Sequence, residues 1–469
     1  MSQPKLELRG YQKEAVEALR ASYRAKKRAP LLQLPTGAGK TIIFAHVVKG
    51  AMQRRNSVLV LVHKRELVAQ TSAKLDWAEV PHGIIAAGYP AAPDMPVQVA
   101  SIQTLVRRPI GQYRFVVIDE AHHAVADTWR TVLNTQLDAK LLGTTATPLR
   151  LDGTGLGVKA GGFFDDLICG ASIRRLIDEG WLSKVRYFIP EHQADLSGAQ
   201  ASGENNDFVL AQIAALVNRP HITGDAVQKY AELAPGLPAI AFCSIIEHAE
   251  DVAAQFREAG FRSACVHGNL PKTTRDALIA GLGNGEVQVL TSCDLISEGL
   301  DVPALGAVIL LRPTASLVMH LQQIGRGLRP APGKPPLVVL DHVGNLNRHG
   351  LPEAERVWTL DGVEEGEPAE EGDGKICPRC GYVNEQAAKF CGECNLAFEG
   401  SGYGESGRSI PPQVAGDLAE LTDKRKHEVE HMRYWNARTS LSEAELRHYA
   451  AHRGYKRGWV EAVLRERTT

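Results

Sequence analysis

Four short apolar runs in the first third of the chain, at 30–34, 57–62, 113–119 and 139–143, are separated by stretches of helix length and amphipathic pattern. A run such as Ser57-Val58-Leu59-Val60-Leu61-Val62 has almost no polar face, so as a strand it has to be covered on both sides. Strand, helix, strand alternation of this kind reads as a parallel sheet with helices on both faces. The same grammar returns at 238–242, 287–291, 305–311 and 336–341. At 469 residues the chain is too long for one ordinary core. Two α/β lobes are therefore expected, divided between about 150 and 185 and assigned to 1–165 and 166–358, with a polar, helix-patterned excursion at about 191–235.

Beyond the second lobe the composition changes. The segment 361–374, DGVEEGEPAEEGDG, carries seven acids and no Lys or Arg, cannot build a core, and reads as part of a flexible linker over 359–374. Of eight cysteines, Cys169, Cys243, Cys265 and Cys293 are scattered, the last three beside apolar strand runs as small buried hydrophobes. The other four, Cys377, Cys380, Cys391 and Cys394, form two CxxC pairs ten residues apart. Such knuckles converge four thiolates on one tetrahedral ion, so a small zinc ribbon at 375–399 is expected, with Zn²⁺ held by these four residues in a closed structural site. A disulfide pair and a rubredoxin-like iron centre are the other readings of the same residues. The tail from 420 to 469 is expected as a helical segment. From 421 it carries eleven Lys or Arg against seven acids, interleaved with Tyr434, Trp435, Tyr449, Tyr455 and Trp459. That mixture suits strand binding, by phosphate neutralisation and base stacking, and equally suits a small domain whose aromatics fill its own core.

Charge over the whole chain decides little: 53 Lys and Arg almost balance 54 Asp and Glu, and a net charge near zero can hide local basic surfaces. The N-terminus MSQPKLELRGYQ has no apolar core of signal-peptide length, and no stretch of about eighteen apolar residues occurs, so a cytoplasmic protein without membrane contact is expected.

The chemistry begins at Leu31 to Thr41, LLQLPTGAGKT, where a strand meets a glycine-bearing turn and then the apolar, helix-like IIFAHVV. Thr36, Gly37, Ala38 and Gly39 form a phosphate cradle of backbone N–H groups, Lys40 reaches the β and γ phosphates, and the Thr41 hydroxyl holds Mg²⁺. Leu34 stands where the broadest form of this pattern has glycine. The second half of the site is Val116 to Glu120, an apolar strand that delivers two acids to its C-terminal edge. Asp119 is placed to hold Mg²⁺ and Glu120 to orient and deprotonate the attacking water.

Asp119-Glu120-Ala121-His122 and Pro35 to Thr41 together resemble the second and first motifs of superfamily 2 helicases, and further segments match that family in order. Arg9-Gly10-Tyr11-Gln12 lies where the family keeps its adenine-reading glutamine. His63 to Gln70 and Ala100 to Leu105 look like the segments that touch the nucleic-acid backbone, and Thr145 to Pro148 like the coupling motif. Val266 to Asn269 and Leu290 to Pro303 resemble later motifs, with Gly299 and Asp301 in nucleotide-facing positions. Gln322 to Arg329, QQIGRGLR, fits the closing pattern; on a helix, Gln322, Arg326 and Arg329 fall on neighbouring turns of one face and can be aimed at the γ-phosphate.

The resemblance covers about 5–345 and implies two tandem RecA-like, doubly wound parallel-sheet lobes, an ATP and Mg²⁺ site divided between them, and a nucleic-acid partner. The wording of HKREL, LISEGLDVP and the tail RGYKRGW looks most like the RadD-type DNA helicases, relatives of the XPB branch. That kinship implies DNA rather than RNA, a role in DNA repair or recombination, and a repair-protein partner. Other readings are a duplex translocase or restriction-system motor that never separates strands, an RNA helicase, and a DNA-binding recruitment module without catalysis. Intact Lys40, Thr41, Asp119, Glu120, Arg326 and Arg329 oppose the last.

Overall fold

The β-branched and leucine-rich runs form strands with both faces covered. In the first lobe the chain runs α1 (Gly10–Arg24), β1 (Pro30–Gln33), α2 (Lys40–Gln53), β2 (Val58–Val62), α3 (Arg65–Trp77), β3 (Gly83–Ile85), β4 (Val97–Ser101), α4 (Ile102–Leu105), β5 (Phe115–Asp119), α5 (Asp127–Leu133), β6 (Lys140–Thr145) and β7 (Asp166–Cys169). The strands make one parallel sheet in the order β3-β4-β2-β5-β6-β1-β7. The computed structural model describes residues 7–63, 65–190, 220–293, 302, 304–354 and 356–362, and beyond these only 375–376, 383–384, 418–420 and single positions at 446, 447, 450, 460 and 463.

Period-two alternation sorts β2 between two cores. Val58, Val60 and Val62 pack with Leu19, Phe44 and Val48, under α1 and α2. Leu59 and Leu61 pack on the other face with Trp129, Leu133 and Phe164. Full burial of each such side chain contributes about 1.5–3 kcal/mol.

After α6 (Ile173–Asp178), the second lobe runs β8 (Val185–Pro190), α7 (Pro220–Leu233), β9 (Ala239–Cys243), α8 (Ile246–Glu258), β10 (Ser263–Val266), α9 (Lys272–Asn284), β11 (Val289–Cys293), β12 (Ala307–Leu310), α10 (Leu317–Gly325), β13 (Leu337–Asp341) and α11 (Asn345–His349). Six parallel strands in the order β10-β11-β9-β12-β13-β8 form its sheet. A two-stranded ribbon pairs β14 (Lys375–Ile376) with β15 (Val383–Asn384), and β16 (Leu418–Glu420) adds to β8 antiparallel.

Several expected boundaries move. β7 is hydrogen-bonded to β1, so the first lobe continues past 165, and the crossing to the second sheet lies between Cys169 and Val185. The later part of the expected excursion, α7, is integral to the second lobe, where Ala226 and Tyr230 join its core; 191–219 lie outside the described residues. The expected linker also begins late. Leu360 O accepts a hydrogen bond from Gly157 N (2.8 Å) and Gly362 bridges to Thr154, so the chain returns to the first lobe before the acidic run. In the tail, Leu446, Ala450, Val460 and Val463 are buried, while Tyr434, Trp435, Tyr449, Tyr455 and Trp459 lie outside the described residues. Cys243 and Cys293 are buried, Cys265 is half-buried and Cys169 exposed. Cys377, Cys380, Cys391 and Cys394 lie outside the described residues, as do Gly299 and Asp301. Among the described residues no helix is long and apolar enough to cross a membrane.

Gly143, inside β6, occupies a position with no room for a side chain. A Cβ there meets Phe164 Cε1 at 2.4 Å and Leu31 Cδ1 at 2.7 Å. Gly143→Ala is expected to destabilise the first lobe by about 1–3 kcal/mol through overpacking, read as a lower urea midpoint; an unchanged midpoint would mean that Phe164 moves aside freely.

Candidate active site

β1 carries the chain to the C-terminal edge of the first sheet, and the turn into α2 is built on two left-handed residues, Gly37 (φ 86°) and Gly39 (φ 77°). Side chains are strained at such angles, so glycine is the residue that lets the loop wrap back to start the helix. The first amides of α2 lack intrahelical acceptors, and its dipole adds positive potential, which together suit a phosphate. Lys40, the first residue of α2, is buried and its ammonium donates to Leu34 O (3.1 Å) and Pro35 O (3.5 Å). Burial pulls its pKa down, and the Glu120 and Asp119 carboxylates pull it back up.

Those carboxylates stand at the end of β5. Asp119 Oδ1 accepts from Thr144 Oγ1 (2.9 Å), on the neighbouring strand β6, and from Glu120 N (3.0 Å). Burial, together with the Glu120 charge, pushes the Asp119 pKa up to about 6. Glu120 takes a left-handed backbone (φ 48°), a strained conformation for a side chain of its size. Its Oε2 is buried, 3.5 Å from His122 Nδ1, and has no hydrogen-bond partner among the described residues. A buried and a half-buried carboxylate beside a buried ammonium and an anion-binding turn have the donor set for a nucleotide with a divalent cation: Thr41 and Asp119 to hold the cation, Lys40 and the loop to hold phosphate.

Gln12, expected on the adenine side, packs on the loop itself. Gln12 Nε2 donates to Ala38 O (3.3 Å), while its Oε1 accepts from Arg9 N (3.0 Å). Tyr11 OH donates to the same Ala38 carbonyl (2.8 Å), and the Arg9 guanidinium lies 4.3 Å over the Trp181 ring. Sequence reasoning gives Tyr11 and Trp181 no role; Tyr11 lies within RGYQ, but nothing local marks Trp181.

The second lobe closes the cleft. Gln322, in α10, approaches His122 with its Nε2 3.5 Å from the histidine Nε2, and His122 Nδ1 lies 3.3 Å from Thr145 Oγ1. His122 thereby touches the acidic strand end, the coupling segment and the opposite lobe. The His63 ring stacks on His123 with centroids 4.0 Å apart, and His123 lies tilted against His122 at 4.2 Å. His63 and Ser101, from the segments matched to nucleic-acid contact, both stand at C-terminal strand ends of the first sheet, on the active-site edge.

Helix α10 stops at Gly325, so the expectation that Gln322, Arg326 and Arg329 share one helix face holds only in part. Arg326 caps the helix and opens a turn, and Arg329 directly follows that turn. Both cations still act on Lys40, depressing its pKa. The turn is held by neighbours that no motif announced. Lys334 Nζ donates to Gly327 O (2.6 Å) and Arg329 O (2.7 Å), and Ser183 donates from N to Leu328 O (2.8 Å) and from Oγ to Arg329 O (3.2 Å). Burial brings the Lys334 pKa down to about 8. Gly325 lies against the phosphate loop of the other lobe: a Cβ there meets Thr36 Cβ at 2.8 Å.

Residues 5–150 match the family described as Type III restriction enzyme, res subunit, and residues 224–331 match the family described as Helicase conserved C-terminal domain. A 51.5 kDa protein of a Lactococcus phage (isolate 7-9) is 31% identical over 377 residues, 78% of each chain. The Saccharomyces cerevisiae protein IRC3, assigned as an ATP-dependent helicase, is 30% identical over 72% of this chain, which spans 51% of its length. Among solved structures, a fragment assigned to the HsdR subunit of a type I restriction enzyme from Vibrio vulnificus YJ016 superposes with a TM-score of 0.58 at 21% identity, covering 76% of this chain and 69% of that one. The type ISP restriction-modification enzyme LlaBIII, bound to DNA, gives 0.53 at 20% identity over 72% of this chain and 28% of its own. These two likenesses concern the fold.

Gly325→Ala is expected to lower ATP turnover about ten- to a hundredfold by displacing the arginine turn from the loop, with nucleotide binding to the first lobe little changed; equal turnover would show that Thr36 yields. A pH dependence follows from Asp119. Its folded pKa is raised, so the charged form is disfavoured by the fold and becomes available to a cation only as pH rises through about 6. The Mg²⁺ concentration needed for half-maximal turnover is expected to rise about tenfold per pH unit below that point. An acid limb that ignores Mg²⁺ concentration would belong to another group.

Proposed function

Because the chain belongs to the superfamily 2 helicases and is a nucleic-acid-dependent ATPase of that family, we propose that it uses ATP hydrolysis between its lobes to move on or remodel DNA, in repair or recombination, as a RadD-type helicase. The observation that carries this reading is the division of the site: loop and carboxylates in one lobe, arginines in the other, with Gln322 and His122 in contact across the cleft.

Bound ATP with Mg²⁺ supplies the phosphoanhydride whose hydrolysis drives the cycle. Lys40 and the loop amides hold its phosphates, and Thr41 and Asp119 hold the cation. Glu120 Oε2 takes the proton of the attacking water. Arg326 and Arg329 stabilise charge spread over the phosphate oxygens, for which a planar guanidinium is suited; for Gly299 and Asp301 a nucleotide-facing role is what the resemblance implies. Gln12 and Arg9 read the adenine side; each amide atom of Gln12 keeps a second hydrogen-bonding position beyond its present bond. Since half of these groups lie in each lobe, hydrolysis loosens the closed cleft, and a strand gripped by both lobes is moved or distorted.

The match of the first lobe to a restriction-enzyme family supports DNA over RNA as the partner. It also favours a second reading, a duplex translocase that does not separate strands. Four cysteines in two CxxC pairs support a structural Zn²⁺ ribbon that docks DNA or a repair-protein partner.

Glu120→Gln is expected to bind ATP and DNA while hydrolysing about 10²–10⁴-fold more slowly than wild type, with Lys40→Ala as the binding control. Steady-state hydrolysis with single-stranded, duplex or forked DNA and with RNA tests the partner; stimulation by RNA alone would sink the DNA assignment. Displacement of a strand from forked DNA separates unwinding from translocation, which displaces only the third strand of a triplex. Elemental analysis is expected to find about one zinc per chain, lost in the double substitution Cys377→Ser, Cys380→Ser; a metal-free wild type would exclude the ribbon.

A further inference from the structure

On the edge of the first sheet opposite the active site lies an open groove of about 1080 Å³, formed where α1, α2 and α3 end and β5 and β6 begin. Its floor is apolar, built on Leu19, Val47, Trp77 and Phe115, with Tyr23 set edge-on to Phe115 at 6.1 Å between centroids. Its rim is cationic. Arg20, Arg24, Lys49, Arg54, Arg114 and Lys140 line it, against Glu79 as the sole acidic residue of the lining. Arg20 is paired with Glu17, and Lys49 with Glu79 at 3.0 Å. Arg24, Arg54, Arg114 and Lys140 are exposed and have no ion-pair partner among the described residues.

Cations are also placed near helix C-termini to offset the dipole, and three helices end here. Each end carries about half a negative charge, about 1.5 in all, which four unpaired cations exceed. Even the paired rim cations are felt nearby: after burial itself, the Arg20 and Lys49 charges hold His46, in the same groove, below the usual histidine pKa.

We propose that this groove docks an acidic peptide segment of a partner protein that carries aliphatic or aromatic anchors. The rim supplies attraction to Asp and Glu and the floor supplies burial for the anchors; phosphates alone leave that floor uncovered. The site lies away from the ATP cleft, so a partner can be held while the motor turns over.

The test uses full-length protein and a fluorescein-labelled decapeptide alternating Asp and Glu with Leu, Phe and Trp, followed by anisotropy. Saturable binding is expected, weakened at least tenfold in the triple variant Arg24→Glu, Arg54→Glu, Arg114→Glu, whose ATP hydrolysis stays at the wild-type rate. An all-Glu decapeptide is expected to bind at least tenfold more weakly than the mixed one. The proposal is overturned by absent binding, by equal affinity for the triple variant, or by equal affinity for the all-Glu peptide. It is also overturned if duplex DNA displaces the peptide and itself loses affinity for the triple variant, since the groove is then a nucleic-acid site. Binding seen only after Glu364, Glu365, Glu367, Glu370 and Glu371 are changed to Gln assigns the groove to the chain's own acidic segment and removes the partner.

Discussion

Charge is buried at the C-terminal edge of the first sheet, and the lobe is organised around making that tolerable. Lys40 is 9% exposed and Asp119 8%. An unpartnered ion in such a place costs several kcal/mol, so each has to find polar groups nearby. The ammonium finds carbonyls at the end of β1, and the carboxylate finds a hydroxyl at the end of β6 and an amide after β5. Those donors and acceptors come from three strands that must lie side by side, and β5-β6-β1 are consecutive in the sheet. Strand order and catalytic chemistry are thus one constraint.

The second lobe answers that cluster with cations, yet it has to approach without trapping them in a closed state. The contacts at the cleft include Gly325 against Thr36 and Gln322 against His122, with Ser183 under the arginine turn. Glycine at 325 removes the side chain that would hold the lobes apart. Behind the cleft, the chain crosses between lobes a second time. Tyr187 OH donates to the buried Glu353 carboxylate (2.6 Å), Arg174 lies 3.4 Å from its other oxygen, and Leu360 then docks on the first lobe. Two crossings between two lobes that each have their own sheet favour hinged motion of intact lobes over local unfolding.

Features written in contiguous residues are legible in the sequence alone. The apolar runs form β1, β2, β5, β6, β9, β11, β12 and β13, because a strand buried on both faces must be apolar throughout. Shorter or partly exposed strands such as β3, β7, β8 and β10 give no comparable signal, since the residues that cover them are distant in sequence. The helix expected to carry Arg329 ends early because the turn after Gly325 is held by Ser183 and Lys334, contacts that helix periodicity does not contain.

The sequence by itself determined the loop glycines, the lysine, the paired acids and the arginine segment, since phosphate chemistry demands those residue types at those local spacings. It also marked the two α/β lobes through hydrophobic period. Only the tertiary structure decided which groups meet across the cleft, how far the first lobe extends, where Gln12 rests, and that six cations from separate elements gather round one apolar groove. Those facts depend on long-range packing, in which each contact is made by residues that carry no local mark of their partner.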